Sequence, residues 1–325
     1  MLGSSSTMHH GYPLLILFLL CLRGLDLVLG FKICAFNIQS FGDSKSTNVP
    51  VMHTLVRILS RCDVCLLQEV RDFKGKAIPT LLSVLNRYDE KYHYDYVASG
   101  RLGRTSYQEQ YVFVYRTGSV MLQDTYQYPD TQKGDMDAFS REPFVVRFKA
   151  PKTVIGDFVL IPQHTTPSNA TKEIDELYDV FLDVKKKWKI EDVMFLGDLN
   201  AACGYVAKKN RKNIRLMSMP EFYWLIKDQD DTTVRETTSC AYDRIVVHGE
   251  TFLRAIEPYS ARPFRFDKEF HLPLEKALDV SDHYPVEVEL KTWSSAWRQA
   301  QVHPLLVPLA VLILGSSLLS GSDLE

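Results

Sequence analysis

The chain has 325 residues, 46% hydrophobic and 24% charged, the proportions of an ordinary globular protein with one large domain or two small ones. Its formal net charge of −2 excludes a global electrostatic footprint for nucleic acid. Any polyanion must be met by a local basic surface or through metal ions.

From the N-terminus, Leu14 to Leu22 is an unbroken apolar run, short for a bilayer span and suited to a signal-peptide core. Val28 and Gly30 permit cleavage before Phe31, so residues 1–30 read as a signal peptide although the leading segment lacks Lys and Arg. Phe31 to Asn37 reads as a buried strand. Val49, Met52, Leu55, Val56 and Leu59 have helical spacing, and Asp63 to Glu69 is a second apolar run that ends in an acid. Ala77 to Leu85 reads as a helix. Tyr92 to Val97, Tyr111 to Tyr115, Phe144 to Phe148 and Phe158 to Ile161 read as strands, the last leading into His164. Ser168 is placed to cap a helix from Asn169 to Trp188. Val193 to Leu196 ends at Gly197-Asp198-Leu199-Asn200, and a basic loop follows with Lys208, Lys209, Arg211, Lys212 and Arg215. Tyr242-Asp243-Arg244 opens the strand Ile245 to Val247, and Ser281-Asp282-His283-Tyr284-Pro285 precedes the alternating strand Val286 to Leu290.

Beyond residue 293 the small residues Ser294-Ser295-Ala296, a polar spacer and the apolar run Leu305 to Leu319 follow the order of a glycosylphosphatidylinositol attachment signal. Residues 294–325 are therefore expected to be processed, leaving a lipid anchor in the membrane. Residues 31–293 carry no internal repeat or linker and are expected to form one domain. Short buried strands mixed with amphipathic helices predict an α/β fold with a mixed sheet.

Six cysteines are present. Cys34 and Cys65 lie in apolar runs and are expected to be buried thiols. Cys62-x-x-Cys65 has a redox or zinc spacing without the second pair that would support it. Cys203 and Cys240 sit in polar loops and are the expected disulfide. Asn169-Ala170-Thr171 is a glycosylation sequon. Together these features predict passage through the secretory pathway, with residence in the endoplasmic reticulum or at the cell surface.

The chemistry gathers at strand ends. Asn37, Glu69, His164, Asp198 and Asn200 lie at or just beyond the C-terminal ends of apolar runs, while Asp243, Asp282 and His283 lie at strand starts. One set of strand ends can bring all of these to a shared rim. Glu69, Asp198 and Asp282 with Asn37 and Asn200 are hard oxygen ligands for Mg²⁺, Mn²⁺ or Ca²⁺. Two histidines can divide general base and general acid work, each fixed by a carboxylate, for which Glu109 and Asp243 are available. That combination suits phosphodiester cleavage.

These residues resemble the deoxyribonuclease I family of the endonuclease/exonuclease/phosphatase superfamily. The resemblance runs from Phe31 to Trp293 through Phe36-Asn37-Ile38, Leu67 to Asp72, Leu102-Gly103-Arg104 with Tyr107, Asp124 to Tyr128, Phe139 to Pro143, His164 with Pro167, Gly197 to Ala201, Cys240 to Ile245 and Ser281 to Pro285. It implies a four-layer α/β sandwich, two packed mixed sheets flanked by helices. It implies a divalent-cation-dependent endonuclease on double-stranded DNA that leaves 5′-phosphate ends, with Mg²⁺ or Mn²⁺ essential and Ca²⁺ stimulatory. By position, Glu109 pairs with His164 and Asp243 with His283; His283 is the expected base and His164 the acid. Glu69 would hold the metal, assisted by Asn37, Asp198, Asn200 and Asp282. Arg71, Tyr107, Arg141 and Tyr242 would contact DNA, and Cys203 would join Cys240. Departures also follow. The loop before Phe139 lacks the family's cysteine pair, which puts structural calcium there in doubt. The segment Asp231 to Thr238 differs from the family's other calcium loop. Gln39 replaces an arginine, and Ala98 replaces a larger residue where the secreted enzyme meets actin, so actin binding is expected to be weak or absent and the protein a monomer. A lipid or inositol-phosphate phosphodiesterase, or a tethered DNA-binding protein with weak catalysis, are the alternative readings.

Overall fold

The computed structural model describes residues 30–131 and 136–293. The expected signal peptide and C-terminal anchor fall outside these residues. Among the described residues, no helix is long and apolar enough to cross a membrane.

Twelve strands form two mixed six-stranded sheets. The first carries β1 (Phe31–Phe41), β2 (Val64–Val70), β3 (Tyr94–Ala98), β4 (Gln110–Arg116), β11 (Arg262–Pro263) and β12 (Val286–Leu290), in the order β11-β12-β1-β2-β4-β3. The second carries β5 (Met121–Gln127), β6 (Phe144–Ala150), β7 (Gly156–Pro162), β8 (Val193–Asp198), β9 (Phe222–Trp224) and β10 (Asp243–His248), in the order β5-β6-β7-β8-β10-β9. Alternation along each central strand sends one set of side chains inward and the other outward. Ile33, Ala35, Leu66 and Phe113 from one sheet thus pack on Phe148, Phe158, Leu160, Met194, Leu196 and Ile245 from the other. The opposite faces are covered by helices: α1 (Val49–Leu59) and α2 (Ala77–Tyr88) on the first sheet, and α3 (Ala170–Trp188) on the second. This is the expected four-layer sandwich.

Helix starts have local causes. The side chain of Asn48 accepts the amide of Val51 at 3.3 Å, and Pro50 fits the first turn of α1. The Asp72 carboxylate accepts the amides of Lys76 and Ile78 at 2.9 and 3.0 Å as α2 begins. The expected Ser168 cap does not form. Residues Pro167–Asn169 make a 3₁₀ turn, Asn169 occupies the cap position of α3 without capping it through its side chain, and Glu173 accepts the Thr166 amide at 3.2 Å.

The cysteine reading needs one correction. Cys34 is not a thiol: it is joined to Cys62, with Cα atoms 6.1 Å apart, while Cys65 is the buried free cysteine. Cys34 points to the helical layer, and the turn after α1 brings Cys62 back beneath it. Burial alone does not distinguish a core thiol from a core disulfide. Cys203 is joined to Cys240, as expected.

Candidate active site

The ends of β1, β2, β7, β8, β10 and β12, from both sheets, meet at one edge. β1 does not stop at Asn37 but continues through Gln39 and Ser40, both left-handed (φ 45° and 57°), and its register with β2 shifts there. β2 breaks register in the same place, with Glu69 at φ 57°. Such backbone persists only where the surroundings over-determine it. Here the Glu69 carboxylate accepts the Asn37 amide at 3.0 Å, the Ser40 amide at 3.0 Å and the Tyr107 hydroxyl at 3.1 Å. Burial pushes the Glu69 carboxyl up, but His164, Asn37 and Tyr107 outweigh it and hold it below its ordinary range.

The second sheet supplies Asp198 from the end of β8. It is buried, accepts Asn37 Nδ2 at 3.2 Å through Oδ2, and accepts the Asn200 amide at 3.1 Å through Oδ1. Asn200, left-handed at φ 47°, donates its side-chain amide to Thr165 O at 3.1 Å. Asn37, Glu69, Asp198 and Asn200 are thus one hydrogen-bonded set.

Two histidines face Asp198. His164, beyond β7, places Nδ1 2.6 Å from Glu109 Oε1 and Nε2 3.5 Å from Asp198 Oδ2. His283, before β12, places Nδ1 2.8 Å from Asp243 Oδ2 and Nε2 3.7 Å from the same Asp198 Oδ2. Burial opposes charge on His164, but Glu109 outweighs it and raises its pKa. At His283 burial is outweighed by Asp243 and Asp198, which raise the pKa to about 10. Both imidazoles are therefore held with Nδ1 toward a buried carboxylate and Nε2 toward a common point. Asp198 is held below the ordinary carboxylate range because the two histidines outweigh its burial.

Arg141 does not point freely outward. Its Nε donates to His164 O at 2.9 Å and lies 3.5 Å from Glu109 Oε1. Arg71 lies over the Tyr107 ring at 4.2 Å, and its buried Nε has no hydrogen-bond partner. Tyr242 sits between two rings, 5.4 Å from Tyr205 and 6.3 Å from His283. Asp282 pairs with Arg235 at 3.5 Å and adds to the negative potential that raises the His283 pKa. Asn169 is half-buried, and its side-chain amide, the expected glycan attachment point, donates to Ala138 O at 3.3 Å.

The sequence reading did not single out the group that ties the sheets together. Gln68 is fully buried, donates to Gln163 O at 2.7 Å and accepts the Asp198 amide at 2.8 Å. Gly197 makes room for it: at φ +126°, an added Cβ would lie 2.5 Å from Gln68 Nε2 and 2.6 Å from Gln163 O. Also unread was Ser281, whose hydroxyl donates to Asn37 O at 2.6 Å and accepts the His283 amide at 3.0 Å. A second acidic group, Asp130, Asp137 and Glu142, has carboxylate oxygens within 4.8 Å of one another. It uses Asp137 of the loop doubted above.

Residues 34–283 match the model of the Endonuclease/Exonuclease/phosphatase family. The chain belongs to this family. Within it the deoxyribonuclease-1 group is the relevant branch. The chain is 50% identical to rat deoxyribonuclease gamma over 279 residues, covering 86% of this chain and 89% of the relative. It is 45% identical to Cricetulus griseus deoxyribonuclease-1-like 1 over 312 residues, covering 95% and 98%. It is 49% identical to pig deoxyribonuclease-1 over 275 residues, covering 84% and 96%. Among solved structures, a humanized Danio rerio TDP2 superposes with a TM-score of 0.54 at 15% identity, covering 81% of this chain and 100% of that one, a likeness of fold alone.

Proposed function

We propose that this chain is a deoxyribonuclease that cuts internal phosphodiester bonds of double-stranded DNA with little sequence specificity. The reaction depends on a divalent cation and leaves 5′-phosphate ends. One observation carries the mechanism: His164 Nε2 and His283 Nε2 lie 3.5 and 3.7 Å from a single oxygen of Asp198, each imidazole backed by its own carboxylate. Two imidazoles converging on one point can serve opposite sides of one phosphorus. His283 Nε2 accepts a proton from water as the water oxygen attacks. The bond from phosphorus to the 3′ oxygen breaks, and His164 Nε2 gives its proton to that oxygen. Asp243 and Glu109 hold the tautomers and stabilise the charged rings. The names of the relatives support DNA as the polymer.

The donor set suits a hard cation. Glu69, Asn37, Asp198 and Asn200 offer oxygens and no thiolate, and Glu69 is held ionised. When bound there, Mg²⁺ or Mn²⁺ supplies neutralisation of phosphate charge and weakens the negative potential on the two imidazoles. Asp130, Asp137 and Glu142, whose carboxylate oxygens lie within 4.8 Å of one another, are the group we propose for the stimulatory Ca²⁺, in the loop where the missing cysteine pair puts calcium in doubt. Arg71, Tyr107, Arg141 and Tyr242 bind the substrate strand, Arg141 while also fixing the backbone of His164. Backbone contacts of this kind position a duplex and carry little sequence information.

The same proposal includes a signal peptide at residues 1–30, the catalytic domain at 31–293 and a lipid-anchoring signal at 294–325. It describes a monomer of the endoplasmic reticulum or cell surface that binds actin weakly or not at all. Two disulfides, Cys34–Cys62 and Cys203–Cys240, support an oxidising compartment.

Plasmid nicking by residues 31–293, with Mg²⁺ plus Ca²⁺ against chelator, tests the reading. Chelation should abolish nicking, and His164→Ala should lower the rate about 10²- to 10⁴-fold. Full activity in either arm would overturn the mechanism.

A further inference from the structure

α3 buries one carboxylate against the segment that carries His164. The inward side of this helix is otherwise apolar, with Ile174, Leu177, Val180, Phe181 and Val184, yet Glu173 in its first turn is fully buried as well. Burial pushes the Glu173 pKa up despite its hydrogen bonds and the charge of Arg141, so a carboxylate is costly there. Both its oxygens accept hydrogen bonds, and the two donors bracket the histidine. Oε2 accepts Gln163 Nε2 at 3.0 Å, from the residue before His164. Oε1 accepts the backbone amide of Thr166 at 3.2 Å, from two residues after it.

The backbone between these two points is fully bonded. Gln163 N donates to Leu196 O at 3.1 Å, and Gln163 O accepts Gln68 Nε2 at 2.7 Å. His164 N donates to Tyr111 Oη at 2.9 Å, and His164 O accepts Arg141 Nε at 2.9 Å and Gln163 Nε2 at 3.3 Å. Thr165 N donates to Asp198 O at 3.1 Å, and Thr165 O accepts Asn200 Nδ2 at 3.1 Å. These partners belong to the sheets or to the segments at their rim. Glu173 joins the same segment to the helical layer.

We propose that Glu173 is a positioning residue for proton transfer to the leaving oxygen: it fixes the backbone from which His164 hangs, while Glu109 fixes the ring. This rests on His164 as the acid of the reaction proposed above and deepens that reading. Glu109 Oε1, 2.6 Å from His164 Nδ1, sets how the imidazole is turned. It does not set where the histidine backbone stands, and a misplacement of about 1 Å can cost about 10²-fold in rate. The carboxylate is chemically specific, because both its partners are donors. Glu173→Ala leaves the Thr166 amide without an acceptor. Glu173→Gln keeps the volume and one acceptor, and Gln163 Oε1, buried without a hydrogen-bond partner, can accept from the new amide if the Gln163 amide turns over.

The test separates proton donation from everything else the fold does. The full-length protein cleaves a duplex with an ordinary 3′ oxygen at a defined linkage and a second duplex with sulfur in place of that oxygen. Thiols ionise with a pKa of about 8.5, so sulfur departs as a thiolate and needs no proton, whereas the oxygen does. Wild type, His164→Ala, Glu173→Ala and Glu173→Gln are compared, and thermal unfolding checks each fold. His164→Ala should slow the oxygen linkage about 10²- to 10⁴-fold and the sulfur linkage far less. Glu173→Ala should lower kcat on the oxygen linkage about tenfold or more, with KM and the sulfur rate within about threefold of wild type. Glu173→Gln should show the same selectivity at about threefold, and it decides the matter if Glu173→Ala does not fold. Equal losses on both linkages in a folded Glu173 variant, or no loss, overturn the inference, and the reaction stands as proposed if His164→Ala is selective. Equal losses in His164→Ala overturn the choice of acid and the inference with it.

Discussion

Gly197 shows how much of the site depends on one residue that touches no substrate. It has room for no side chain, because Gln68 crosses from the first sheet to the second directly over it. Gly197→Ala would force a Cβ into Gln68 and Gln163 at a φ of +126°. It should destabilise the protein by about 3 kcal/mol through overpacking and backbone strain. It should also lower kcat at least tenfold, since Gln68 fixes the Asp198 amide and the residue before His164. Urea unfolding and nicking rates measure both effects. Retained stability with full activity would show that the strap is slack. Residues of this kind were hard to read. Asn37, Glu69, His164 and Asp198 stood out because each polar group ends an apolar run. Gln68 lies inside such a run, where a buried amide has no periodic signature and its partners are about 95 and 130 residues away. Asp282 had the right type and position, and its side chain also meets Arg235, a partner the sequence does not announce. Sequence position constrains the backbone, not the rotamer.

At the scale of elements, legibility followed burial. β1, β2, β4, β7, β8 and β10 lie inside the sheets, read as apolar runs, and were expected near where they occur. β5, β9 and β11 are sheet edges; β5 is largely exposed and β11 has two residues, whereas the edge strand β3 keeps enough alternation to be read. Such strands need few apolar side chains and leave little pattern. β12 carries a further element-scale feature. Glu287, 2% exposed, faces the helical side and meets Arg61 at 2.7 Å, Lys32 at 3.2 Å and Arg262 at 3.2 Å. Burial pushes its carboxyl up, but Arg61 and Lys32 outweigh it and hold the pKa below the ordinary 4.5. Since the folded-state pKa is depressed, the stabilisation is complete above pH 4.5 and is lost as pH falls through the folded value. Glu287→Gln should therefore cost about 3 kcal/mol at pH 7, where Arg61 loses its carboxylate while Lys32 keeps Glu289 and Arg262 stays solvated, and progressively less below pH 4. Urea midpoints at pH 7 and pH 3 provide the comparison; an equal deficit at both would mean that packing, not charge, accounts for the loss.

The whole molecule explains why the site exists only in the folded sandwich. Asn37 and Glu69 come from the first sheet, Asp198 and Asp243 from the second, and His164 and His283 from segments flanking opposite sheets. No single supersecondary unit holds a histidine, its carboxylate and the Glu69 set together. Their separation is set by the inter-sheet core and by what fixes the loops above it. The Cys203–Cys240 disulfide acts at that level. It closes a sequence separation of 37 and joins the segment after Asn200 to the segment before Asp243. Loop-closure arguments give it about 3–4 kcal/mol of stability. Cys203 is exposed, whereas Cys34 and Cys62 are both buried. A mild reductant should therefore open Cys203–Cys240 first. Activity should fall as that bond opens, because Tyr205, Tyr242 and the approach to Asp243 lose their shared tether, while Cys34–Cys62 persists. Differential alkylation read by mass spectrometry, alongside nicking rates, follows the two bonds separately. Activity that tracks Cys34–Cys62 instead would place the controlling constraint under α1, on the helical face of the first sheet. Activity indifferent to both would mean that the inter-sheet core alone holds the two halves of the site in register.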